Sequence, residues 1–169
     1  MATQEQSNSL NGLFRPFLKR VDMEFADYLD SRLVVFLEST TQEGAIDELI
    51  SLVEREGKLP NRKMFQQAIW HREQIISTGI GMSIAIPHAK LSGLTNFFIA
   101  IGIQRTRGIE WNALDGAPVR LVFLIGGPDD RQSEYLQILS QLTTAIRDAD
   151  LRKELLRARS AEDVIAFFS

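Results

Sequence analysis

Two apolar runs of strand length constrain the fold of this chain most strongly. Residues 97–103 read FFIAIGI and residues 119–125 read VRLVFLI, so apolar side chains fall at nearly every position. Runs of this length and composition are typical of strands that are buried on both faces of a sheet. Such a sheet needs helices on both faces, and residues 32–37 supply a further strand candidate.

The first clear helical segment follows a pattern that resembles a capping box. Thr40 and Glu43 can satisfy the free N–H groups at the start of a helix. The spacing that follows predicts one buried face, and residues 57–60, which contain Gly and Pro, end the segment. The residues of that face are Ala45, Ile46, Leu49, Ile50 and Val53.

A second helix is predicted to begin after Asn61, which can act as its N-cap. One side of this helix carries Met64, Phe65, Ala68, Ile69 and Arg72. An arginine on an apolar stripe needs a partner or a ligand, so Arg72 is a candidate functional residue.

The last third of the chain predicts a loop over residues 126–130 and a long helix capped by Ser133. Leu136, Leu139, Leu142 and Ile146 are expected on its inner face, and Ser160 is expected to cap the last of two shorter helices. The predicted fold is therefore α/β, a mixed β-sheet flanked by helices on both faces. It forms a single domain over residues 22–169, with Asp22 capping a short first helix. Residues 1–21 form an N-terminal extension, either lying on the domain or serving as a docking segment.

Composition excludes several classes of function. A net charge of −3 argues against a nucleic-acid surface, and the absence of cysteine removes disulfides and cysteine-based zinc sites. We expect no metal and no cofactor. No apolar run reaches the roughly 20 residues of a membrane-spanning helix, and the polar N-terminus does not resemble a secretory signal. We therefore expect a cytoplasmic protein that is not inserted in a membrane.

His88 is the leading candidate for chemistry. It is one of two histidines in 169 residues, and it follows a short apolar run that Pro87 closes. Proline lacks an N–H group and suits the end of a strand, so the imidazole is expected at the rim of the sheet. A hydrogen-bonded structural histidine is the alternative interpretation.

The residues before His88 could hold a phosphoryl group. Ser77 and Thr78 can donate hydrogen bonds from their hydroxyls, and Gly79 and Gly81 allow backbone N–H groups to approach an anion closely. The guanidinium of Arg72 matches a phosphate in shape and charge. Each signal has an ordinary alternative, since the glycines could serve only a turn and Arg72 could pair with Glu73.

Other mechanisms find little support. His71 has no phosphate-binding residues around it and is interpreted as a surface or packing residue. The chain contains neither a nucleophilic serine motif of the G-x-S-x-G type nor a P-loop. Any phosphoryl group must therefore come from another protein or a small donor.

Residues 72–90 read REQIISTGIGMSIAIPHAK, which resembles the long signature of the mannitol/fructose-type enzyme IIA domains of the bacterial phosphoenolpyruvate phosphotransferase system. The resemblance extends from about Met23 to the end and includes residues 113–119. The closing stretch, residues 155–163, is most similar to the nitrogen-regulatory IIA proteins.

The resemblance implies a phosphotransferase component that acts as a phosphohistidine carrier. His88 would accept a phosphoryl group on Nε2 from phospho-HPr or from a nitrogen-branch HPr homologue. Arg72 matches the active-site arginine of the family, and Thr78 and Gly79 match its phosphate-binding loop. We expect in-line transfer to a neutral His88 whose other ring nitrogen binds a backbone carbonyl. Ile80, Met82, Ile84 and Ile86 would form a docking face for the partner.

One residue departs from the family pattern. The family often carries a second active-site histidine at the start of the long helix, where this chain has Tyr135. A phenol can donate a hydrogen bond to phosphate but carries no positive charge at neutral pH, so Tyr135 is retained as a phosphate-binding candidate.

Three roles follow from the resemblance. The nitrogen-type ending, and the absence of an attached IIB or IIC part, favour a regulatory IIA protein whose phosphorylation state selects its target proteins. The first alternative is a relay that passes phosphate to a IIB domain during sugar transport, with a sugar of the fructose or mannitol type. The second is a scaffold that Tyr135 no longer allows to be phosphorylated efficiently.

Overall fold

The computed structural model describes residues 25–169. This part of the chain forms one mixed sheet of six strands, in the order β1-β5-β6-β3-β2, with β4 also paired to β6. The strands are β1 (Val34–Phe36), β2 (Gly79–Gly81), β3 (Ile84–Ala85), β4 (His88–Lys90), β5 (Phe98–Ile103) and β6 (Leu121–Gly127). The predicted extension, residues 1–21, and the predicted cap Asp22 lie outside the described residues.

The two apolar runs form the centre of the sheet, as predicted. β5 and β6 pair antiparallel from Phe98 opposite Gly126 to Ile103 opposite Leu121. Every residue of both strands is buried. Strands β1, β3 and β4 add to this pair in parallel, which makes the sheet mixed.

Helices cover both faces of the sheet, which confirms the predicted fold class. They are α1 (Gln42–Arg55), α2 (Arg62–Ile75), α3 (Gln132–Ile146), α4 (Ala149–Arg157) and α5 (Ala161–Ala166). One core cluster joins Phe98 and Ala100 of β5 to α1 and α2. A second joins the alternate residues Ile99 and Ile101 to α3, α4 and α5. Within the described residues, no helix is both long and apolar enough to cross a bilayer.

The N-cap of α2 agrees with the prediction, whereas the N-cap of α1 does not. Asn61 caps α2 by accepting a hydrogen bond from the N–H of Met64, as predicted. The predicted capping box at Thr40 was wrong, because Thr41 is the N-cap of α1 and accepts from the N–H of Gly44. The five residues predicted for the inner face of α1 are all fully buried.

Helix α3 is rotated from its predicted orientation. Its N-cap is Arg131 without a side-chain hydrogen bond, so the predicted cap at Ser133 was wrong. Tyr135 and Ile138 are buried, whereas Leu136 is 51% exposed and does not belong to the inner face. Leu142 and Ile146 belong both to the predicted inner face and to the face that is buried in the structure. The buried face also contains Tyr135, and it packs on the sheet.

Smaller corrections concern the strand ends and one helix residue. The strand predicted over residues 32–37 begins later, because residues Ser31–Leu33 form a 3-10 turn capped by Asp30. Gly126 and Gly127 belong to β6 rather than to a loop. Glycine suits both positions, because the rings of Phe97 and Phe98 occupy the space that a side chain would need. Met64 is 53% exposed, so it does not lie on the inner face of α2.

Candidate active site

His88 lies at the first position of β4, where it pairs with Ile125. Pro87 does not end the strand region but interrupts it, because β3 before it and β4 after it both run parallel to β6. The imidazole is partly buried, and its Nδ1 lies 2.9 Å from the carbonyl oxygen of Ile86. A carbonyl can only accept, so in a neutral ring Nδ1 carries the proton and Nε2 keeps its lone pair.

The surroundings of His88 favour this neutral form. Burial is the main cause that lowers the pKa of His88 below its usual range, and the positive charges of Arg72 and Lys90 act in the same direction. The hydrogen bond to Ile86 and the negative charge of Glu73 oppose the change without cancelling it. At neutral pH the ring is therefore uncharged, and Nε2 has an available lone pair.

Arg72 lies in the last turn of α2 and binds no carboxylate within the described residues. Its Nη1 donates to the backbone carbonyl of Ile76 at 2.8 Å, so the alternative in which it pairs with Glu73 is not found. Its charge nevertheless reaches the site, because it lowers the pKa of both His88 and Tyr135. The other guanidinium donors have no partner in this part of the chain and are free to bind an anion.

Glu73 anchors the end of α2 to the loop before β2, a role that the sequence did not suggest. Its carboxylate accepts from the hydroxyl of Thr78, and from the Thr78 N–H at 3.3 Å. It also accepts from Nε1 of Trp111 at 3.4 Å and from Nε2 of Gln42 at 3.3 Å. The sequence could have suggested the contact with Thr78, five residues away, but not the contacts with Gln42 and Trp111, which are distant in sequence.

The segment that contains the predicted phosphate-binding residues Ser77, Thr78 and Gly79 is bound to the segment just before His88. The N–H of Ile86 donates to the carbonyl of Thr78 at 3.0 Å. Both hydroxyls and the N–H groups of Thr78 and Gly79 are already used within the protein. The Ser77 hydroxyl donates to the carbonyl of Trp111 at 2.9 Å, and the Gly79 N–H donates to the Ser77 hydroxyl at 3.1 Å. Thr78 is only 3% exposed. In this state these residues frame the site, and their contact with phosphate stays a prediction.

Gly81 is the last residue of β2, where the chain enters the hairpin to β3. It pairs with Ile84, has a φ of +95°, and precedes Met82 and Ser83, which are also left-handed. The N–H of Met82 donates to the carboxylate of Asp115 at 3.2 Å. This geometry explains the glycine through the turn and gives no support to the predicted phosphate contact.

Tyr135 packs directly against the candidate nucleophile. Its ring centroid lies 5.6 Å from that of His88 and 6.2 Å from that of Phe97, on which it stacks. The side chain is 6% exposed, and burial raises the pKa of the phenol. Tyr135 is thus neutral at physiological pH, and the structure does bring it to His88 as the sequence predicted.

Lys90 completes the group, although no sequence pattern suggested a role for it. Its ammonium lies 4.6 Å from the centre of the Tyr135 ring and donates to the side-chain carbonyl of Gln132. The sequence feature that could have identified Lys90 is the strand period of two, which places it on the same face of β4 as His88.

His71, by contrast, lies exposed on α2, in keeping with its interpretation as a surface residue. Residues 25–169 contain no group of three or more His, Asp or Glu that could hold a metal ion.

Residues 27–169 match the family model described as "Phosphoenolpyruvate-dependent sugar phosphotransferase system, EIIA 2". The chain belongs to this family. The IIA domain is thus a phosphotransferase component that carries phosphoryl groups, as the motif around His88 predicted.

The proteins that are similar to this IIA domain are named either as fructose-specific components or as nitrogen regulatory proteins. The fructose-specific EIIABC component of Bacillus subtilis is 40% identical over 76% of this chain, but the match spans only 20% of that relative. The fructose-specific EIIA component of Haloferax volcanii is 36% identical over 73% of this chain and 80% of its own length. The nitrogen regulatory protein of Pseudomonas aeruginosa is 32% identical over 78% of this chain and 84% of its own length.

Solved structures confirm the fold. The nitrogen regulatory protein IIA-Ntr of Neisseria meningitidis has a TM-score of 0.78 and 29% identity, over 85% of this chain and 98% of its own. The mannitol IIA of Escherichia coli, solved in complex with phosphorylated IIB, has a TM-score of 0.70 at 21% identity, over 83% of this chain and 96% of its own. The second likeness concerns the fold alone.

Proposed function

We propose that His88 carries the phosphoryl group of this IIA domain, on Nε2, after transfer from phospho-HPr or a nitrogen-branch HPr homologue. The observation that supports this most is the hydrogen bond between Nδ1 and the carbonyl of Ile86. It fixes the tautomer, orients the ring and leaves one nitrogen with an available lone pair.

The transfer is an in-line displacement between two histidines. The Nε2 lone pair of His88 forms the new N–P bond while the N–P bond of the donor breaks, and the donor imidazole recovers that electron pair. The proton on Nδ1 stays in its bond to Ile86. Arg72 spreads the charge of the equatorial oxygens, and no other reactant is needed.

Only half of the predicted docking face is open to a partner, since Met82 is 39% exposed and Ile80 is half-buried. Ile84 is fully buried and Ile86 is 3% exposed, so neither can contact another protein. Ile75 and Ile76, just after Arg72, are 70% and 54% exposed, and Leu136 beside Tyr135 is 51% exposed. Exposed apolar side chains next to the site suit a transient partner interface.

The role we propose is regulatory, of the nitrogen type, in the cytoplasm, where the phosphorylation state of His88 selects the target proteins. The similarity to IIA-Ntr over 98% of that chain supports this proposal. The second candidate is a relay to a IIB domain in sugar uptake. Identities of 40% and 36% with fructose-specific components favour it.

The site assignment is tested by NMR of the phosphorylated protein with ¹⁵N-labelled histidine. We expect coupling of the phosphorus to Nε2 of one histidine, and the signal should be absent in His88→Gln. Coupling to Nδ1 or to His71 contradicts the assignment.

The two roles are separated by adding IIB and IIC components of the fructose and mannitol types to the phosphorylated protein. The regulatory proposal predicts that His88 keeps its phosphoryl group and that no sugar phosphate forms. Rapid formation of sugar phosphate by the wild type, and none by His88→Ala, would show the relay instead.

A further inference from the structure

Lys90 and His88 share one face of β4 and one aromatic neighbour. The strand period places both side chains on the side of the sheet that carries α3. The Tyr135 ring lies 5.6 Å from the imidazole centroid and 4.6 Å from the Lys90 ammonium. The ring of Tyr135 therefore packs against both the imidazole of His88 and the ammonium of Lys90.

Two contacts hold the ammonium in place. The face of an aromatic ring carries partial negative charge and attracts a cation, more strongly where the ring is shielded from water. Tyr135 is 6% exposed, so the ring is shielded from water, whereas Lys90 is half-buried. The side-chain carbonyl of Gln132, in the first turn of α3, accepts a second contact. One N–H of the ammonium is thus engaged by Gln132, and others are available for a ligand.

The charge of Lys90 acts on the position where a phosphoryl group would sit. It is one of the two cations that lower the pKa of His88, Arg72 being the other. A cation that disfavours a positive imidazole favours an anion on the same ring, because the sign of the interaction reverses. Tyr135 cannot supply this charge, because a phenol is neutral when protonated and negative when ionised.

We infer that Lys90 is the second cation that binds the phosphoryl group on His88, and that Tyr135 is a positioning residue acting through its ring. This inference rests on the proposed function and assigns its phosphate site. It also gives the tyrosine a purpose at a position where a positively charged side chain would repel Lys90.

The test compares Lys90→Met, Tyr135→Phe and Tyr135→Leu in two measurements. The first is the rate of phosphoryl transfer from phospho-HPr, followed by intact mass. Lys90→Met should be slower by about tenfold to a hundredfold, as expected for loss of a hydrogen bond to a charged group. Tyr135→Phe keeps the ring and should stay within about twofold of wild type, whereas Tyr135→Leu should approach Lys90→Met.

The second measurement uses the isolated phosphoprotein, so that contacts with the donor play no part. A nearby cation lowers the pKa of the phosphoryl group, and Lys90→Met should raise its ³¹P titration midpoint by on the order of one pH unit. Lys63→Met is the matched control, since Lys63 is exposed on α2, and it should move neither quantity. Unfolding in urea verifies that each variant is folded.

The outcomes separate this inference from the function on which it rests. A wild-type protein that accepts no phosphate overturns the proposed function, and the inference with it. Phosphorylation of Lys90→Met at the wild-type rate with an unmoved ³¹P midpoint overturns the inference alone. A loss in Tyr135→Phe equal to that in Tyr135→Leu would assign the role to the phenol and contradict the ring-based account.

Discussion

At the scale of single residues, the proposed phosphoryl transfer depends on the protonation state of His88. The ring is partly buried and bound through Nδ1 to a carbonyl, with Arg72, Glu73 and Lys90 as the charged groups that act on it. The net effect lowers the pKa of the imidazole. The neutral form is therefore present at physiological pH and persists to lower pH than in a free histidine, whose pKa is about 6.5.

We predict that the imidazole of His88 titrates below a histidine in an unstructured peptide. Phosphoryl acceptance should change little above about pH 7 and decline only below the ordinary histidine range, because protonation removes the Nε2 lone pair. Two-dimensional NMR of labelled histidine, assigned with His88→Gln, measures the midpoint. A midpoint above that of the reference peptide contradicts the assignment of causes.

The sequence singled out the candidate reactive residues but not the residues that position them. His88 and Arg72 stand out because one is rare and the other lies on an apolar stripe. Glu73 and Lys90 could not be recognised in the same way, since their partners Trp111 and Gln132 come from segments distant in sequence. Such contacts are set by tertiary packing, which no local pattern records.

At the scale of secondary structure, the predictions were wrong where one sequence pattern was compatible with two helix starts. Thr40 and Thr41 can each cap α1, and Glu43 made the first choice attractive. In the structure the carboxylate of Glu48 binds the N–H of Ser39 at 2.6 Å, which fixes the entering chain so that Thr41 becomes the cap. A capping box requires its glutamate three residues after the cap, and Gly44 occupies that position.

The two threonines provide a direct comparison. Thr41→Ala should lower the free energy of unfolding by about 1 kcal/mol, because the N–H of Gly44 loses its acceptor. Thr40→Ala serves as the neighbouring control and should change it by less than about 0.5 kcal/mol. Urea denaturation gives both values, and a larger loss for Thr40→Ala would restore the original capping box.

The orientation of α3 makes a second prediction at this scale. Leu136→Ala removes an exposed apolar group beside the site, so it should leave stability nearly unchanged but slow transfer from phospho-HPr several-fold. Leu142→Ala empties a fully buried position and should cost about 2–5 kcal/mol. Equal stability losses in the two variants would contradict the observed rotation of the helix.

At the scale of the whole molecule, the apolar runs and the helical periods were sufficient to predict the architecture. The two central strands are buried throughout, so covering layers on both faces are a physical requirement. The strand order could not be read in the same way. It places β4 beside β6 across Pro87, and only this pairing brings His88 and Lys90 against α3.

The most direct test of the central claim is the mass of the intact protein after incubation with phosphoenolpyruvate, enzyme I and HPr. The account predicts the addition of one phosphoryl group to the wild type and to His71→Ala, and none to His88→Ala. An unmodified wild type, or an addition that persists in His88→Ala, would contradict it.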